Sequence, residues 1–110
     1  RGLRSTGAVA PSEVVECRAG LHVAVHFERL AVDDWENWRI ERVRVCDLAG
    51  DARGEAAERR SETVDRVLSS RVTPLPTFTA TPGEWIGVTL RNVSPHPKQF
   101  YGRLLGAAQG

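Results

Sequence analysis

The chain has 110 residues, the size of a single domain, and 41% of them are hydrophobic, so its composition excludes a disordered protein. Its 15 basic residues nearly balance its 14 acidic ones, and the net charge of +1 offers no field to attract nucleic acid or an anionic membrane. No apolar run approaches the ~18 residues needed to cross a bilayer. We therefore expect no nucleic-acid or membrane partner.

The amino-terminal segment mixes Gly, Ser, Thr, Ala and Pro without periodicity. Such composition is typical of a mobile terminus that does not bury itself on its own domain. We interpret residues 1–12 as a flexible arm and residues 13–110 as one domain. Val9 and Ala10, in the apolar part of the arm, are its candidate contacts with a partner.

Alternation of apolar and polar residues predicts most of the strands. It is clearest at 21–28, where the odd positions through Phe27 are apolar, and so face a core. Further strands are predicted at 14–17, 38–48, 77–81, 85–93 and 100–105. In 38–48, Ile40 and Val43 have opposite parity, and a β-bulge near Glu41-Arg42 would restore one apolar face because one extra residue flips the alternation.

Residues 55–70 fit two structures. A helical stripe and two i,i+4 ion pairs favour one short helix at about 55–69. The alternative is a charged loop followed by a strand at 63–68. Downstream, Pro74 and Pro76 exclude a central strand because proline lacks the ladder donor. The pattern as a whole predicts an all-β fold, a single antiparallel β-sandwich with jelly-roll or Greek-key connections.

Motifs for catalysis, cofactors and metals are missing from the sequence. It has no GxSxG, no Gly-rich phosphate loop and no CxxC. His22 and His26 would lie about 13 Å apart along a strand, too far to share an ion. We therefore expect no enzymatic activity, no cofactor and no metal site. Cys17 and Cys46 could form one bridge, but free, packed thiols are favoured.

Aromatic residues are the candidate binding residues. Trp35, in an acidic turn, and Trp85, after the Pro82-Gly83 turn, are predicted to be exposed, and with Tyr101 they could stack on sugar rings. Trp38 is predicted to pack inside. Three arginines form a basic stretch that Glu41 interrupts and Asp47 follows, which predicts a salt-linked, solvated face: Arg39, Arg42 and Arg44.

Several strand motifs carry a resemblance. Pro82-Gly83 precedes a strand ending in Arg91-Asn92-Val93-Ser94, and Leu104-Leu105-Gly106 follows. Together with Phe27-Glu28-Arg29-Leu30 and the strand at 40–45, this order resembles small β-sandwich structural proteins of phage particles. The resemblance implies assembly, with many copies forming or coating a shell, and it implies no catalytic residues.

The expected function follows from the missing catalytic set and this resemblance. We expect a non-enzymatic structural subunit of a multimeric assembly, of the virion or capsid-decoration type. Its partners would be copies of itself and a major shell protein, and its location would be the virion. The alternative is a ligand-binding β-sandwich module of the carbohydrate-binding kind, with Trp35, Trp85 and Tyr101 as contacts.

Overall fold

The computed structural model describes residues 7–20, 25–47 and 58–108. Their regular structure is seven β-strands and one turn of 3-10 helix at Trp35–Asn37. The strands are β1 Val14–Gly20, β2 Val25–Val32, β3 Trp38–Asp47, β4 Glu58–Val67, β5 Val72–Ala80, β6 Glu84–Asn92 and β7 Gly102–Ala108. Within these residues, no helix has the length and apolarity that crossing a membrane requires.

The strands form two sheets that pack face to face. One sheet has four strands in the order β1-β6-β3-β4, and the other has three in the order β5-β2-β7. Every pairing is antiparallel. Consecutive strands lie in different sheets, except for β3 and β4, so the other connections cross between the sheets. The structure thus confirms the predicted all-β antiparallel sandwich.

The core lies between the sheets, and β4 contributes to it only through the half-buried Val64. In the central strand β6, Ile86, Val88 and Leu90 are at most 1% exposed. Trp38, predicted to pack inside, is 1% exposed. The register of β3 shifts between Ile40 and Arg42 against both neighbours, which confirms the predicted bulge. The extra residue lets side chains of both parities in β3 enter one core.

Residues 58–67 form strand β4, so the predicted helix at 55–69 is wrong over this range; residues 55–57 lie outside the described part. β4 pairs along its length with β3 and is the edge of its sheet. Its charged residues bind across the strands instead of along a helix, as in Arg39–Asp65 at 2.7 Å. Tertiary pairing with β3 therefore overrides the local helical pattern.

In each edge strand of the three-stranded sheet, one backbone carbonyl contacts a side chain of the other sheet. Arg60 of β4 donates to the carbonyl of Thr79 in β5 at 3.1 Å, and its guanidinium lies 5.2 Å from the Phe78 ring centroid. On the opposite side, the Cys17 thiol lies 3.8 Å from the carbonyl of Gly102. β5 contains Pro74 and Pro76 and is an edge strand, as their missing backbone donors require.

Part of the predicted arm contacts its own domain, contrary to our expectation for it. Val9 exchanges two backbone hydrogen bonds with Lys98, at 2.7 and 2.9 Å, and its side chain packs against the core. Ser12 donates to the carbonyl of Asn92 at 2.9 Å. Backbone pairing thus supplies the attachment that the composition did not suggest. Residues 1–6 of the arm lie outside the described part.

Asn92 organises this attachment from a fully buried position, with 0% exposure. Its Nδ2 donates to the carbonyls of Val9 at 2.9 Å and His96 at 2.8 Å, and its Oδ1 accepts from the Ser94 amide at 2.9 Å. One side chain therefore joins the amino-terminal segment to the connector between β6 and β7.

Both cysteines are free and buried. Cys17 pairs with Val88 and belongs to the core, whereas Cys46 pairs with Trp85 on the outer face of the same sheet. A disulfide is excluded in this fold because the two thiols lie on opposite faces. Burial raises the pKa of the Cys17 thiol to about 11, so it stays protonated at neutral pH.

Candidate functional site

Trp35 and Tyr101 lie at the same end of the sandwich. Trp35 begins the 3-10 turn between β2 and β3, and Tyr101 directly precedes β7. The Asp33 amide donates to the Tyr101 carbonyl at 3.0 Å, which holds the two loops together. Two of the three predicted aromatic residues are thus brought to the same end of the sandwich by segments far apart in sequence.

Tyr101 is exposed because its neighbour in the chain is buried. Phe100 is 6% exposed and meets Trp38 edge to face, with the ring centroids 5.2 Å apart. A Cβ at Gly102 would lie 2.5 Å from the Phe100 ring, so glycine is needed for this packing. Alternation then directs Tyr101 outward, where it is 59% exposed.

Polar side chains lie on the same end of the sandwich as the exposed ring. Asp33 and Arg71 are 3.5 Å apart, with side chains 69% and 59% exposed. The Tyr101 hydroxyl donates to Gln99 at 3.5 Å. Trp35 is half-buried and packs against the core. We call Asp33, Trp35, Arg71, Gln99 and Tyr101 the Tyr101 surface; it offers one open aromatic face with acceptors and donors beside it.

Trp85 lies at the opposite end, on the outer face of the four-stranded sheet. It is 6% exposed, so its predicted exposure is wrong. The guanidinium carbons of Arg18 and Arg44 lie 4.3 and 5.1 Å from its ring centroid. Asn92 lies seven positions after Trp85 in β6 and pairs with Trp38; this separation is about 23 Å. Trp35 and Trp85 therefore cannot bind one small ligand.

Glu16 connects the residues around Trp85. It accepts from Arg44 at 2.6 and 2.8 Å and from Arg18 at 3.1 Å. Burial alone would raise the pKa of Glu16, but the hydrogen bonds and charges of Arg44 and Arg18 outweigh it and hold the pKa below its usual value. We call Glu16, Arg18, Arg44 and Trp85 the Trp85 cluster.

Gly87 makes room for this cluster. A Cβ at this position would clash with Glu16 Oε2 and would lie 2.8 Å from Cζ3 of Trp85. The indole and the carboxylate therefore lie directly over the backbone of β6. Next to them is an open depression of about 370 Å³, lined by Val14, Val15, Glu16, Arg42, Arg44 and Thr89.

The arginines of β3 match their predicted role. Arg39 pairs with Asp65, Arg42 with Glu58, and Arg44 with Glu16, all on one salt-linked face. The roles of Glu16 and Arg18 could not be predicted, because only the pairing of β1 with β6 brings them to Trp85. Likewise Arg71, from the β4–β5 connection, reaches Asp33 only through the fold.

The described residues contain no group of three or more His, Cys, Asp or Glu side chains that could hold a metal ion. His26 Nε2 lies 3.4 Å from a Glu28 carboxylate oxygen in β2, and His96 is in the β6–β7 connector. His22 lies outside the described residues. Val9 and Ala10 both belong to the attached part of the amino-terminal segment, where the Ala10 carbonyl accepts from Glu13 at 3.0 Å.

No protein-family model matches this chain, and no curated protein matches it significantly. A solved structure with a similar fold is CBM32-3, a carbohydrate-binding module from a family 31 glycoside hydrolase of Clostridium perfringens. The superposition has a TM-score of 0.52, covers 96% of this chain and 74% of that chain, and pairs residues that are 10% identical. At this identity, the similarity establishes a shared β-sandwich fold.

Proposed function

We propose that this chain is a carbohydrate-binding module and that the Tyr101 surface is its binding site. The observation that carries the proposal is Tyr101, which is 59% exposed and whose backbone is hydrogen-bonded to Asp33, the partner of Arg71. The fold shared with CBM32-3 supports it. A carbohydrate-binding module is the alternative function that the sequence predicts.

The chemistry of the surface fits a sugar ring. The apolar face of a pyranose packs against an aromatic ring, and its hydroxyl groups need donors and acceptors at the rim. Tyr101 supplies the ring, Arg71 supplies donors, and Asp33 and Gln99 supply acceptors. Phe100 and Gly102 fix the backbone on both sides of Tyr101, so little conformational freedom is lost on binding.

The predicted role as a shell subunit stays a prediction, as does the resemblance to phage proteins. The long edge strand β4 is the feature that would serve assembly by pairing. However, Arg60, Glu62 and Arg66 lie on its core-side face, opposite Val45, Val43 and Ile40. Inward-pointing charges protect an edge from pairing, which weighs against assembly through β4.

Affinity electrophoresis in gels containing soluble polysaccharides tests the proposal. The wild-type chain should be retarded by at least one neutral or acidic polysaccharide, and Tyr101→Ala should weaken that retention roughly tenfold. Val67→Ala is the matched control because Val67 is 58% exposed but lies in the other sheet. If polysaccharides retard Tyr101→Ala as much as the wild type, the Tyr101 surface is not the binding site. If no polysaccharide retards the wild-type chain, the proposed function is wrong.

A further inference from the structure

The geometry points to a second binding site at the Trp85 cluster, for a saccharide that carries a carboxylate group, with Arg18 as its displaceable cover. This second site shares with the proposed function only that its ligand is a saccharide. Its residues belong to the outer face of the four-stranded sheet, whereas Tyr101 precedes β7 of the other sheet.

The platform of this site is the Trp85 indole. It lies on the outer face of β6, over the backbone at Gly87, where any larger residue would clash. Glu16 lies over the same glycine. The indole is 6% exposed, and Arg18 is the nearer of the two guanidiniums over it, at 4.3 Å against 5.1 Å for Arg44. A sugar ring can therefore stack on the indole, with its hydroxyl groups donating to the carboxylate, only when Arg18 moves off the ring.

Arg18 is held less firmly than Arg44. It reaches Glu16 through one hydrogen bond of 3.1 Å, and its side chain is 50% exposed. Arg44 makes two bonds to Glu16, at 2.6 and 2.8 Å, and is 25% exposed. Exposed ion pairs and cation–π contacts are weak, so Arg18 can leave the ring while Arg44 keeps Glu16 in place.

A displaced Arg18 selects for negative charge. Its guanidinium stays within reach of the ring, and it binds carboxylates with two parallel hydrogen bonds. A neutral sugar would gain the stacking contact but would leave Arg18 without a new partner. A ring bearing a carboxylate would gain both contacts, which identifies hexuronate-type saccharides as the class that this site prefers.

The adjacent depression extends the site along β6. It reaches Thr89, four residues beyond Trp85, and this separation is about 13 Å. Its volume of about 370 Å³ falls at the low end of the ~300–1,000 Å³ typical of small-ligand sites. Arg42, Arg44 and Thr89 provide donors there. A disaccharide can therefore place one ring on Trp85 and the next in the depression.

Tryptophan fluorescence titration of the full chain tests this inference with α-1,4-digalacturonate and its neutral counterpart, α-1,4-galactobiose. The acidic disaccharide should bind roughly three- to tenfold more tightly at about 50 mM NaCl, and the preference should shrink at about 500 mM because salt screens exposed charges. Trp85→Phe should remove most of the fluorescence change, and isothermal titration calorimetry of this variant should show weaker binding of both ligands.

Arg18→Gln should bring the two affinities close together, because digalacturonate loses the partner of its carboxylate, and Arg18→Lys should keep part of the preference. Arg66→Gln is the matched control, since Arg66 is exposed and lies on β4, away from the cluster. The inference is overturned if Arg18→Gln affects both disaccharides equally or neither, or if Trp85→Phe leaves both affinities unchanged.

Tyr101→Ala separates this inference from the proposed function. Digalacturonate binding should survive in that variant. If it is lost, the acidic disaccharide binds at the Tyr101 surface, and the second site fails while the proposed function stands. The converse result is that digalacturonate binds through Trp85 while every polysaccharide retards Tyr101→Ala as much as it retards the wild type. In that case the second site stands and the proposed site fails.

Discussion

Replacing Asn92 with alanine should destabilise the domain by removing one buried hydrogen-bonding centre. The variant loses the bonds to Val9, His96 and Ser94, which measure 2.8 to 2.9 Å. The Val9 carbonyl still accepts from the Lys98 amide, and the His96 carbonyl still accepts from the Ser94 hydroxyl. The cost is therefore that of the lost bonds, about 2–3 kcal/mol in total, without a further penalty for an orphaned carbonyl.

Urea unfolding followed by tryptophan fluorescence measures this cost as a shift of the midpoint at constant slope. Ser94→Ala is the matched control. It loses a bond to the same His96 carbonyl, but Ser94 is partly exposed, so water can replace the hydroxyl and the change should stay below about 1 kcal/mol. If Asn92→Ala costs less than about 0.5 kcal/mol, Asn92 does not hold the amino-terminal segment as we infer.

Acid should destabilise the wild-type chain partly through Glu16, because the pKa of its carboxyl is lower in the folded state than its usual value of 4.5. The stabilisation that ionised Glu16 gives the fold is therefore fully present above pH 4.5 and is lost as the pH falls through the folded pKa. Glu16→Gln should therefore lose less stability between pH values above and below 4.5 than the wild type, and equal losses in urea melts would show that the Arg44–Glu16 pair is not formed. Phe27 is 4% exposed in the core, and Phe27→Ala should cost about 3–5 kcal/mol in the same assay. His26→Ala, on the opposite face, should cost less than about 1 kcal/mol, and similar costs at the two positions would mean that the faces of β2 are misassigned.

Periodicity determined the sandwich class and much of the core. Phe27, Ile86, Val88 and Leu90 are buried as their alternation predicted. The bulge at Glu41-Arg42 could also be located from the sequence. In a strand with a single buried face, a change in the parity of the apolar residues requires one extra residue to keep them on that face. Such patterns are local, and they can be interpreted before any partner strand is known.

Partner strands decided the rest. The segment at 58–67 has a helical pattern of charges, yet it becomes β4 because β3 offers it a ladder of backbone hydrogen bonds. Trp85 is buried because β1 and β3 bring Arg18 and Arg44 over its ring. Val9 is attached because Lys98 and Asn92, which lie far from it in sequence, form hydrogen bonds with its backbone.

The candidate site divides in the same way. The sequence by itself identified Trp35, Trp85 and Tyr101 as the aromatic residues available for stacking, since residue type alone carries that chemistry. Only the tertiary structure placed Trp35 with Tyr101 and separated both from Trp85, because strand order and register determine which loops share an end of a sandwich. Strand order depends on contacts between residues distant in sequence, and periodicity within one strand contains no information about them.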